Sequence, residues 1–460
     1  MKGKLNTIRR IHLVGIGGVG MTALALLLKD RGFTVSGSDI KESRNTKMLK
    51  EKSFPVYIGH RRENIQDAQL LCYSSAVKED NIEILEAIKR GIEVVKRAEL
   101  LSWISWNDKN IVISGSHGKT TTSALTAFVL TSLGYNPNVF VGGVALDFGK
   151  SAWSGKDLFV MEADESDGSF LCYNSWISVV TNIDYEHLDY YKNFDNLLDS
   201  FHEFIINAKS LAIGCGDDSN VVSLMRKVPS CLYGLRKHND VRGKNIRLFR
   251  DLTVFDFYFK DRKFSEIELS LVGEHNVLNA LAALAICGHL GVDIDKIIPL
   301  LKKFKGTYRR FQLKANIGGV IFVDDYAHHP KEIEVTLKAA KQFFKRRLVV
   351  VFQPHRYSRI KLLYKKFAQC FYSCDYLVVT DIYAAGEPYQ DNISGVFLAN
   401  EIRNSFKNTV YIPKEELSKK VPLLLQEGDA VIGLGAGDIN IVMESIVREF
   451  LLKEKYNIKV

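Results

Sequence analysis

The chain has 460 residues, of which 46% are hydrophobic and 25% are charged, with nine prolines. This length exceeds one ordinary hydrophobic core and, at about 150 residues per domain, favours three compact domains. The composition is typical of a globular protein and excludes disordered, low-complexity and repeat proteins.

The formal net charge is +9, but Lys and Arg are interspersed with Asp and Glu instead of forming one basic tract. We expect no nucleic-acid partner, because small anionic substrates explain the surplus equally well. The apolar runs have the length of core strands, and no signal-peptide pattern precedes the first of them. We therefore expect a cytoplasmic protein without membrane insertion. Seven scattered cysteines without a CxxC pair predict buried thiols instead of disulfides or structural zinc.

The first glycine-rich loop lies in a predicted βαβ unit. A strand over residues 11–14 leads into Gly15, Gly17 and Gly20, which fit the pattern G-x-G-x-x-G. Asp39 follows about 20 residues later, where a carboxylate holds a ribose hydroxyl in dinucleotide sites. Taken alone, the pattern indicates an NAD site, and a tight βα turn without a ligand is the alternative.

Two further strands continue this first sheet. They are predicted over residues 70–74 and 92–96, with a helix over residues 81–90 between them. Such alternation is typical of a parallel sheet. We place a domain boundary near Asn107.

The second glycine-rich loop is the most informative feature of the chain. Residues 111–123 read IVISGSHGKTTTS, an apolar strand that passes through glycines into a helix opened by Lys119. Helix N-terminal N–H groups receive phosphate, a lysine supplies a point charge, and the hydroxyl of Thr120 can hold Mg²⁺. Gly115 and Gly118 enclose two residues instead of the four of the usual P-loop. The loop predicts a nucleoside triphosphate site.

Polar residues follow the next strands of this segment. They comprise four carboxylates and one imidazole, at Glu162, Asp164, Glu165, Asp184 and His187. Ligands bind beyond the carboxyl ends of strands in open α/β sheets, so these groups should meet the phosphate loop and suggest a metal. A helix N-cap is the alternative for each acidic residue.

A long helix is predicted over residues 273–291, and its first turns carry His275, Asn276 and Asn279. Asn276 is equally well interpreted as an N-cap. His275 is equally well interpreted as a hydrogen-bonded polar residue at a helix end.

The third segment begins near Lys314 and alternates four predicted strands with helices, which again predicts a doubly wound sheet. Its strand ends carry three pairs of polar residues, Asp324 and Asp325, His328 and His329, and Arg356 and Arg359. An arginine pair favours bidentate binding of carboxylate or phosphate, with solvated surface arginines as the alternative. Two nucleotide-type loops exceed what a simple dehydrogenase requires, so we expect chemistry driven by ATP.

Seven motifs in order resemble those of the Mur ligases, the ATP-dependent enzymes of peptidoglycan precursor synthesis. They are GIGGVGM at 15–21, GSHGKTTT at 115–122, EADESD at 162–167, TNIDYEHLD at 181–189, HNVLNALAA at 275–283, DDYAHHPKEI at 324–333 and QPHRYSR at 353–359. The last two are the specific ones, because they are similar to the alanine-adding branch. Ser116 stands where the family favours Thr, and Ala327 where Gly is frequent; neither removes a charge or a ligand.

The resemblance implies an α/β fold of three domains. These are a Rossmann-like UDP-sugar-binding domain (residues 1–107), a central P-loop-type ATPase domain with a mostly parallel sheet (108–313) and a C-terminal Rossmann-like α/β domain that binds the amino acid (314–460). The implied reaction joins L-alanine to the lactyl carboxylate of UDP-N-acetylmuramate through an acyl phosphate, with ATP as substrate, Mg²⁺ as cofactor, and ADP and phosphate as products. The implied protein is a monomer or a homodimer.

The same resemblance implies roles for individual residues. UDP-sugar binding is assigned to Gly15, Gly17, Gly18, Gly20, Ser38, Asp39, His60 and Ser75. ATP binding is assigned to Gly115, Ser116, His117, Gly118, Lys119, Thr120, Thr121, His275, Asn276, Asn279, Arg310 and Asp325. Magnesium is assigned to Thr120, Glu165 and His187, and catalysis to Lys119, Glu165, His187, His328, Arg356 and Arg359.

Three alternatives remain open at this point. They are a ligase that attaches a preformed tripeptide, an NAD-dependent oxidoreductase built on residues 15–39, and a non-catalytic nucleotide sensor. The sequence leaves the general base and the strictness for alanine unassigned. Because the assigned ligands are divided between the second and third domains, we expect domain closure during turnover.

Overall fold

A computed structural model describes Leu5 and residues 7–106, 108–249 and 252–456. These residues form three mostly parallel β-sheets with flanking helices, which confirms the predicted three-domain α/β fold. The boundary predicted near Asn107 falls on a residue outside the described part of the chain. The boundary predicted at Lys314 lies within a strand of the third sheet.

The first sheet has five parallel strands in the order β3-β2-β1-β4-β5. The strands are β1 Arg10–Val14, β2 Thr34–Asp39, β3 Val56–Ile58, β4 Leu70–Tyr73 and β5 Glu93–Lys96. The helices are α1 Val19–Asp30, α2 Arg44–Glu51, α3 Ile82–Lys89 and α4 Arg97–Ser105. The order reverses between β1 and β4, and a crevice forms at such a point beyond the carboxyl ends of the strands. The first glycine loop and Ser75 follow these two strands.

The second sheet has ten strands in the order β15-β14-β13-β12-β11-β10-β6-β9-β7-β8. The strands are β6 Asn110–Ser114, β7 Asn138–Ala145, β8 Lys150–Trp153, β9 Phe159–Glu162, β10 Ser175–Val180, β11 Leu211–Cys215, β12 Ser230–Gly234, β13 Val241–Leu248, β14 Thr253–Phe259 and β15 Arg262–Leu269. The helices are α5 Lys119–Ser132, α6 Leu188–Tyr191, α7 Phe194–Ile206, α8 Ser219–Met225, α9 Glu274–His289 and α10 Ile294–Leu301. Strand β6 is fully buried between β9 and β10, which run parallel to it, and its run of apolar residues is typical of a central parallel strand.

The third sheet has six strands in the order β16-β17-β21-β18-β19-β20, and only β16 is antiparallel to its neighbour among the pairings described. The strands are β16 Gln312–Ile317, β17 Val320–Asp325, β18 Leu348–Phe352, β19 Tyr376–Val379, β20 Thr409–Tyr411 and β21 Ala430–Leu434. The helices are α11 Pro330–Phe344, α12 Tyr357–Phe367, α13 Gly395–Ser405, α14 Leu417–Leu424 and α15 Ile439–Tyr456.

The chain divides into two compact units. The first comprises Met1–Asn245, Phe255–Leu269 and Asn276–Lys305, and the second comprises Ile246–Val254, Ser270–His275 and Gly306–Val460. Within the first unit, α1 packs on β7 and β8, so the first two sheets form one body. The third sheet belongs to the second unit.

Five cysteine thiols are buried, as expected, whereas Cys231 is partly exposed and Cys172 is exposed. Among the described residues, no helix combines the length and the apolar character that crossing a bilayer requires.

Candidate active site

The first glycine loop is braced by Asp39 at the end of β2. The backbone N–H of Gly17 donates to Asp39 Oδ2 at 2.8 Å. A Cβ at Gly17 would lie 2.8 Å from the same oxygen, so only glycine permits this approach. Gly15 has φ +80°, a left-handed conformation that glycine adopts without strain. Gly18 is the N-cap of α1, and the helix N-terminus therefore opens directly from the loop.

Ser38 and His60 lie side by side behind this loop. The Ser38 side chain is completely buried and donates to Glu83 Oε2 at 2.5 Å. His60 Nδ1 lies 3.0 Å from Ser38 Oγ, and the His60 ring is 18% exposed. His60 is thus the member of the pair that reaches the surface. Ser75 is exposed in the turn that follows β4.

Arg97 is a further cation at this loop that sequence analysis missed. A Cβ at Gly20 would overlap the Arg97 guanidinium, which places that group beside the first turn of α1. The side chain is partly buried. Burial raises the pKa of Asp164 in the second sheet's site, but Lys119, the hydrogen bonds from Ser166 and, as the smallest contribution, the charge of Arg97 lower it overall. Arg97 directly follows β5, so the rule that ligands gather beyond strand ends could have identified it.

The phosphate loop is held by Asn182, which follows β10. The N–H of His117 donates to Asn182 Oδ1 at 2.9 Å, and Asn182 Nδ2 donates back to the His117 carbonyl at 2.9 Å. The N–H of Ser116 donates to the Asn182 carbonyl at 3.0 Å. Gly115 and Gly118 have φ +127° and +85°. Two glycines in left-handed conformations and the hydrogen bonds of the Asn182 amide fix the loop. No role was predicted for Asn182 from the sequence motif.

Lys119 opens α5 and contacts several oxygens. Its Nζ donates to the Gly115 carbonyl at 2.5 Å and to the Ser116 carbonyl at 3.1 Å, and it lies 2.8 Å from Glu165 Oε2. Burial alone would lower the pKa of Lys119, but the Glu165 carboxylate raises it overall. The lysine therefore stays a cation, as phosphate binding requires.

Glu165 also connects the lysine to His187. His187 Nε2 lies 3.4 Å from Glu165 Oε1 and 3.7 Å from Glu186 Oε2. Burial lowers the pKa of His187, but its hydrogen bond to Glu165 raises it overall. Glu165, Glu186 and His187 offer ligand atoms within 4.8 Å of one another, a grouping that could hold a metal ion. His187 adopts φ +57°, a left-handed conformation that is uncommon for non-glycine residues.

Thr120 faces a second carboxylate, Glu162. Thr120 Oγ1 donates to Glu162 Oε1 at 2.9 Å, and the N–H of Gly142 donates to Glu162 Oε2 at 2.6 Å. A hydroxyl paired with a carboxylate beside a phosphate loop is a donor set that suits Mg²⁺. Glu162 should therefore be added to the predicted metal-binding groups.

Asn276 and Asn279 lie under the phosphate loop. Asn279 Nδ2 donates to Asn276 Oδ1 at 3.0 Å, and Thr122 Oγ1 donates to Asn279 Oδ1 at 3.3 Å. A Cβ at Gly118 would lie 2.5 Å from Asn279 Oδ1. Both amides and Thr121 are buried. The amide pair thus couples α9 to the first turn of α5.

The predicted nucleotide residues of the second unit are Asp325, Arg310 and His275. Asp325 is buried and accepts the N–H groups of Phe311 at 2.7 Å and Ala327 at 2.8 Å. The guanidinium of Arg310 lies over the Tyr326 ring, 5.1 Å from its centroid. Burial, and then the charge of Arg310, lower the pKa of His275 to about 4.

The loops after β17 and β18 bring His328, His355 and Arg359 together. The two imidazole rings lie 5.5 Å apart, and Arg359 Nη1 donates to His355 Nδ1 at 3.1 Å. Burial lowers the pKa of each histidine to about 3, so both are neutral near pH 7. Arg356 begins α12 as an exposed residue with φ +67°. Sequence analysis assigned no role to His355, although it lies inside the QPHRYSR motif.

Three family models match the chain in order. They are described as Mur ligase family, catalytic domain (residues 10–108), Mur ligase middle domain (113–287) and Mur ligase, glutamate ligase domain (309–437). Together they cover most of the 460 residues.

Individual relatives agree with these matches. The UDP-N-acetylmuramate–L-alanine ligase of Geobacter sulfurreducens is 43% identical, over 94% of this chain and 96% of its own length. The crystal structure of the UDP-N-acetylmuramate-alanine ligase MurC from Thermotoga maritima superposes with a TM-score of 0.86 at 29% identity, covering 96% of this chain and 99% of that one. A murein peptide ligase from Psychrobacter arcticus shares the fold, with a TM-score of 0.72 at 22% identity over 98% of this chain and all of its own. The chain belongs to the Mur ligase family.

Proposed function

We propose that this protein joins L-alanine to the lactyl carboxylate of UDP-N-acetylmuramate, with conversion of ATP to ADP and phosphate. The observation that carries the proposal is the Lys119, Glu165 and His187 cluster at the phosphate loop. A relative named for this reaction aligns over 94% of the chain, which supports the choice of substrates. We place the reaction in the cytoplasm, where ATP is available.

The first glycine loop holds the diphosphate of the UDP-sugar in this proposal. The N-terminus of α1 presents N–H groups and the positive end of its dipole, while Asp39 keeps the loop in place. The same backbone chemistry serves an NAD diphosphate, so the glycine pattern alone could not decide between the two ligands.

The lactyl carboxylate must gain a leaving group before an amine can displace its oxygen. Lys119 neutralises charge on the β- and γ-phosphates of ATP while the carboxylate oxygen attacks the γ-phosphorus. The P–O bond to ADP breaks and an acyl phosphate forms. The neutral amine of alanine then attacks the acyl carbon, phosphate leaves with the C–O bonding pair, and the nitrogen loses one proton to the released phosphate or to solvent.

The side chains of Thr120, Glu162, Glu165 and His187 suit Mg²⁺, and Glu186 lies beside the last two. Bound there, Mg²⁺ would neutralise negative charge that develops on the transferred phosphoryl group. The protein fixes these donors before the substrates bind. Asn182, which is hydrogen-bonded to the backbone of the phosphate loop, and the buried Glu165 carboxylate hold them in place.

The cluster after β17 and β18 is the proposed alanine site. Arg356 and Arg359 offer guanidinium forks that match a carboxylate, and His328, a neutral group, lies beside His355. A neutral histidine does not compete with the arginines for the carboxylate. Asp325, Arg310 and His275 are assigned to the nucleotide.

The test measures phosphate release with ATP, Mg²⁺ and UDP-N-acetylmuramate while the amine donor is varied. We expect release with L-alanine and much less with the tripeptide L-alanyl-D-glutamyl-meso-diaminopimelate, while glycine and serine measure the strictness for alanine that the sequence leaves unassigned. Equal or faster release with the tripeptide would assign the chain to the tripeptide-adding reaction instead. Release with none of the donors would end the proposal, and NAD binding would support the oxidoreductase alternative.

A further inference from the structure

A buried carboxylate under the first sheet's site has no part in the proposed chemistry. Glu83 lies in the first turn of α3 and is completely buried. It accepts hydrogen bonds from Ser38 Oγ at 2.5 Å, Asn64 Nδ2 at 2.6 Å and the Arg61 N–H at 3.1 Å, and His12 Nε2 lies 3.2 Å away. Burial raises the pKa of Glu83, but the hydrogen bonds from His12, Ser38 and Asn64 lower it overall to about 2.

The ionised carboxylate fixes the direction of the neighbouring hydrogen bonds. A carboxylate only accepts, so Ser38 gives it its single hydroxyl hydrogen. Ser38 Oγ, 3.0 Å from His60 Nδ1, can then only accept from that nitrogen. Glu83 Oε1 lies 3.6 Å from the same nitrogen and also favours a hydrogen there. The neutral imidazole therefore carries its proton on Nδ1, and Nε2 is left as an acceptor.

The order of the strands locates His60 relative to the glycine loop and Asp39. Neighbouring strands lie about 4.8 Å apart, and β1, β2 and β3 are adjacent. The glycine loop follows β1, Asp39 ends β2, and His60 follows β3 two residues after Ile58. If the diphosphate lies at the first strand end and the ribose at the second, the base lies at the third. No described residue is hydrogen-bonded to Nε2 of His60.

We propose that His60 Nε2 accepts a hydrogen bond from N3–H of the uracil ring, and that Glu83, acting through Ser38, is the positioning residue that holds the required proton on Nδ1. The inference rests on the proposed function, because it needs a UDP-sugar at this loop. It makes His60 the residue that selects uracil over cytosine. N3 of cytosine carries no hydrogen, so its lone pair would face the lone pair of His60 Nε2.

The binding test compares UDP-N-acetylmuramate with its CDP analogue by titration calorimetry on the full chain. We expect the wild type to prefer the uridine compound by about 10- to 100-fold, the range for one hydrogen bond replaced by an unpaired group. His60→Ala should bind both compounds within about threefold of each other. His202→Ala, which changes an exposed histidine of α7, is the matched control and should keep the wild-type preference.

The relay is tested separately by ¹⁵N NMR of histidine-labelled protein, with the His60 signals assigned from the His60→Ala spectrum. We expect a protonated Nδ1 and an unprotonated Nε2 in the wild type, and a larger fraction of the other tautomer in Glu83→Gln, whose amide can donate. Ser38→Ala serves the same purpose if Glu83→Gln does not fold. A wild-type His60 protonated on Nε2 would overturn the relay.

The outcomes separate this inference from the proposed function. Binding of UDP-N-acetylmuramate with a preference that survives His60→Ala would overturn the inference alone. Absence of binding of either nucleotide by the wild type would overturn both.

Discussion

Lys119 and Glu165 illustrate how single residues at the phosphate loop are prepared by their neighbours. The lysine lies 2.8 Å from a carboxylate that is only 1% exposed, so the pair is shielded from solvent screening. Removal of one member of a buried charge pair strongly destabilises the folded protein, because the other charge remains buried and unpaired. The lysine is therefore important to both stability and chemistry, and experiments must separate the two.

We expect Lys119→Ala to lower kcat for alanine-dependent phosphate release by about 10³-fold or more, because removal of one preorganised charge from a phosphoryl-transfer site has effects of this size. The affinity for UDP-N-acetylmuramate, measured by calorimetry, should stay near that of the wild type. Lys156→Ala, at an exposed position of the same segment, is the control. Turnover by Lys119→Ala within tenfold of the wild type would remove the lysine from the mechanism.

Arg356 is a second residue whose role can be isolated. It is exposed at the start of α12, and no side chain of the described residues is hydrogen-bonded to its guanidinium, so its removal leaves no buried group unpaired. We expect Arg356→Ala to raise the KM for alanine about 10- to 100-fold and to change the KM for ATP much less. Steady-state kinetics with each substrate varied in turn gives both constants.

The lysine variant and a distant arginine provide the controls for that measurement. Arg356→Lys keeps the charge without the planar fork and should give an intermediate KM. Arg448→Ala, an exposed change in α15, should have no effect. A rise of the same size in the two Michaelis constants would contradict the alanine pocket.

At the scale of elements, the glycine patterns and apolar runs predicted the strands that carry the site. Strands β6, β17 and β18 are largely apolar runs followed by polar residues, and β1, predicted over residues 11–14, spans Arg10–Val14. Burial on both faces of a parallel strand leaves this unmistakable pattern. The site residues that follow such strands were for that reason the easiest to find.

The remaining elements left weaker signals. Strands β11 to β15 extend the second sheet, yet several alternate exposed and buried residues and were not predicted. Asn182, Glu83 and His355 act through tertiary contacts, such as those of Glu83 with partners 19 to 71 residues away, which no local pattern reveals. The tripartite fold was predictable, whereas the side chains that support the ligand residues were not.

Gly115 links β6 to the phosphate loop, and its conformation can be tested at the level of the element. A Cβ at this position would lie 2.8 Å from the Asn182 carbonyl oxygen, at φ +127°. We expect Gly115→Ala to displace the loop and to weaken ATP binding by at least tenfold in calorimetry, with a lower thermal midpoint.

Gly134 at the end of α5 provides the matched comparison. It also has positive φ, +88°, but a Cβ there would meet nothing within 4 Å. Gly134→Ala should cost about 1 kcal/mol through backbone strain alone and leave ATP binding unchanged. Equal ATP affinities for the two variants would show that the crowding at Gly115 does not hold the loop.

At the scale of the whole molecule, the proposed reaction requires a sugar-borne carboxylate held at the first sheet to reach ATP held at the second. The first sheet and most of the second belong to the first compact unit, and α1 packs on β7 and β8. Arg31, at the end of α1, donates to the Ile104 carbonyl at 2.7 Å and to Asn138 Oδ1 at 2.9 Å. It also lies 3.2 Å from Asp108. One guanidinium thus joins the helix behind the first glycine loop to the edge of the second sheet.

We expect Arg31→Ala to destabilise the protein by about 2 kcal/mol, since three hydrogen bonds from the guanidinium are lost and their acceptors become partly unpaired. The thermal midpoint should fall by several degrees. The fold-decrease in kcat should exceed the fold-increase in the KM for ATP or for UDP-N-acetylmuramate, because each ligand still binds its own sheet. Arg31→Lys should restore only part of the lost stability and kcat. Arg62→Ala, on the exposed surface of the first segment, is the control and should keep the wild-type thermal midpoint and kcat. If Arg31→Ala lowers the midpoint but leaves kcat intact, the packing of α1 on the second sheet stabilises the unit without aligning the two substrates.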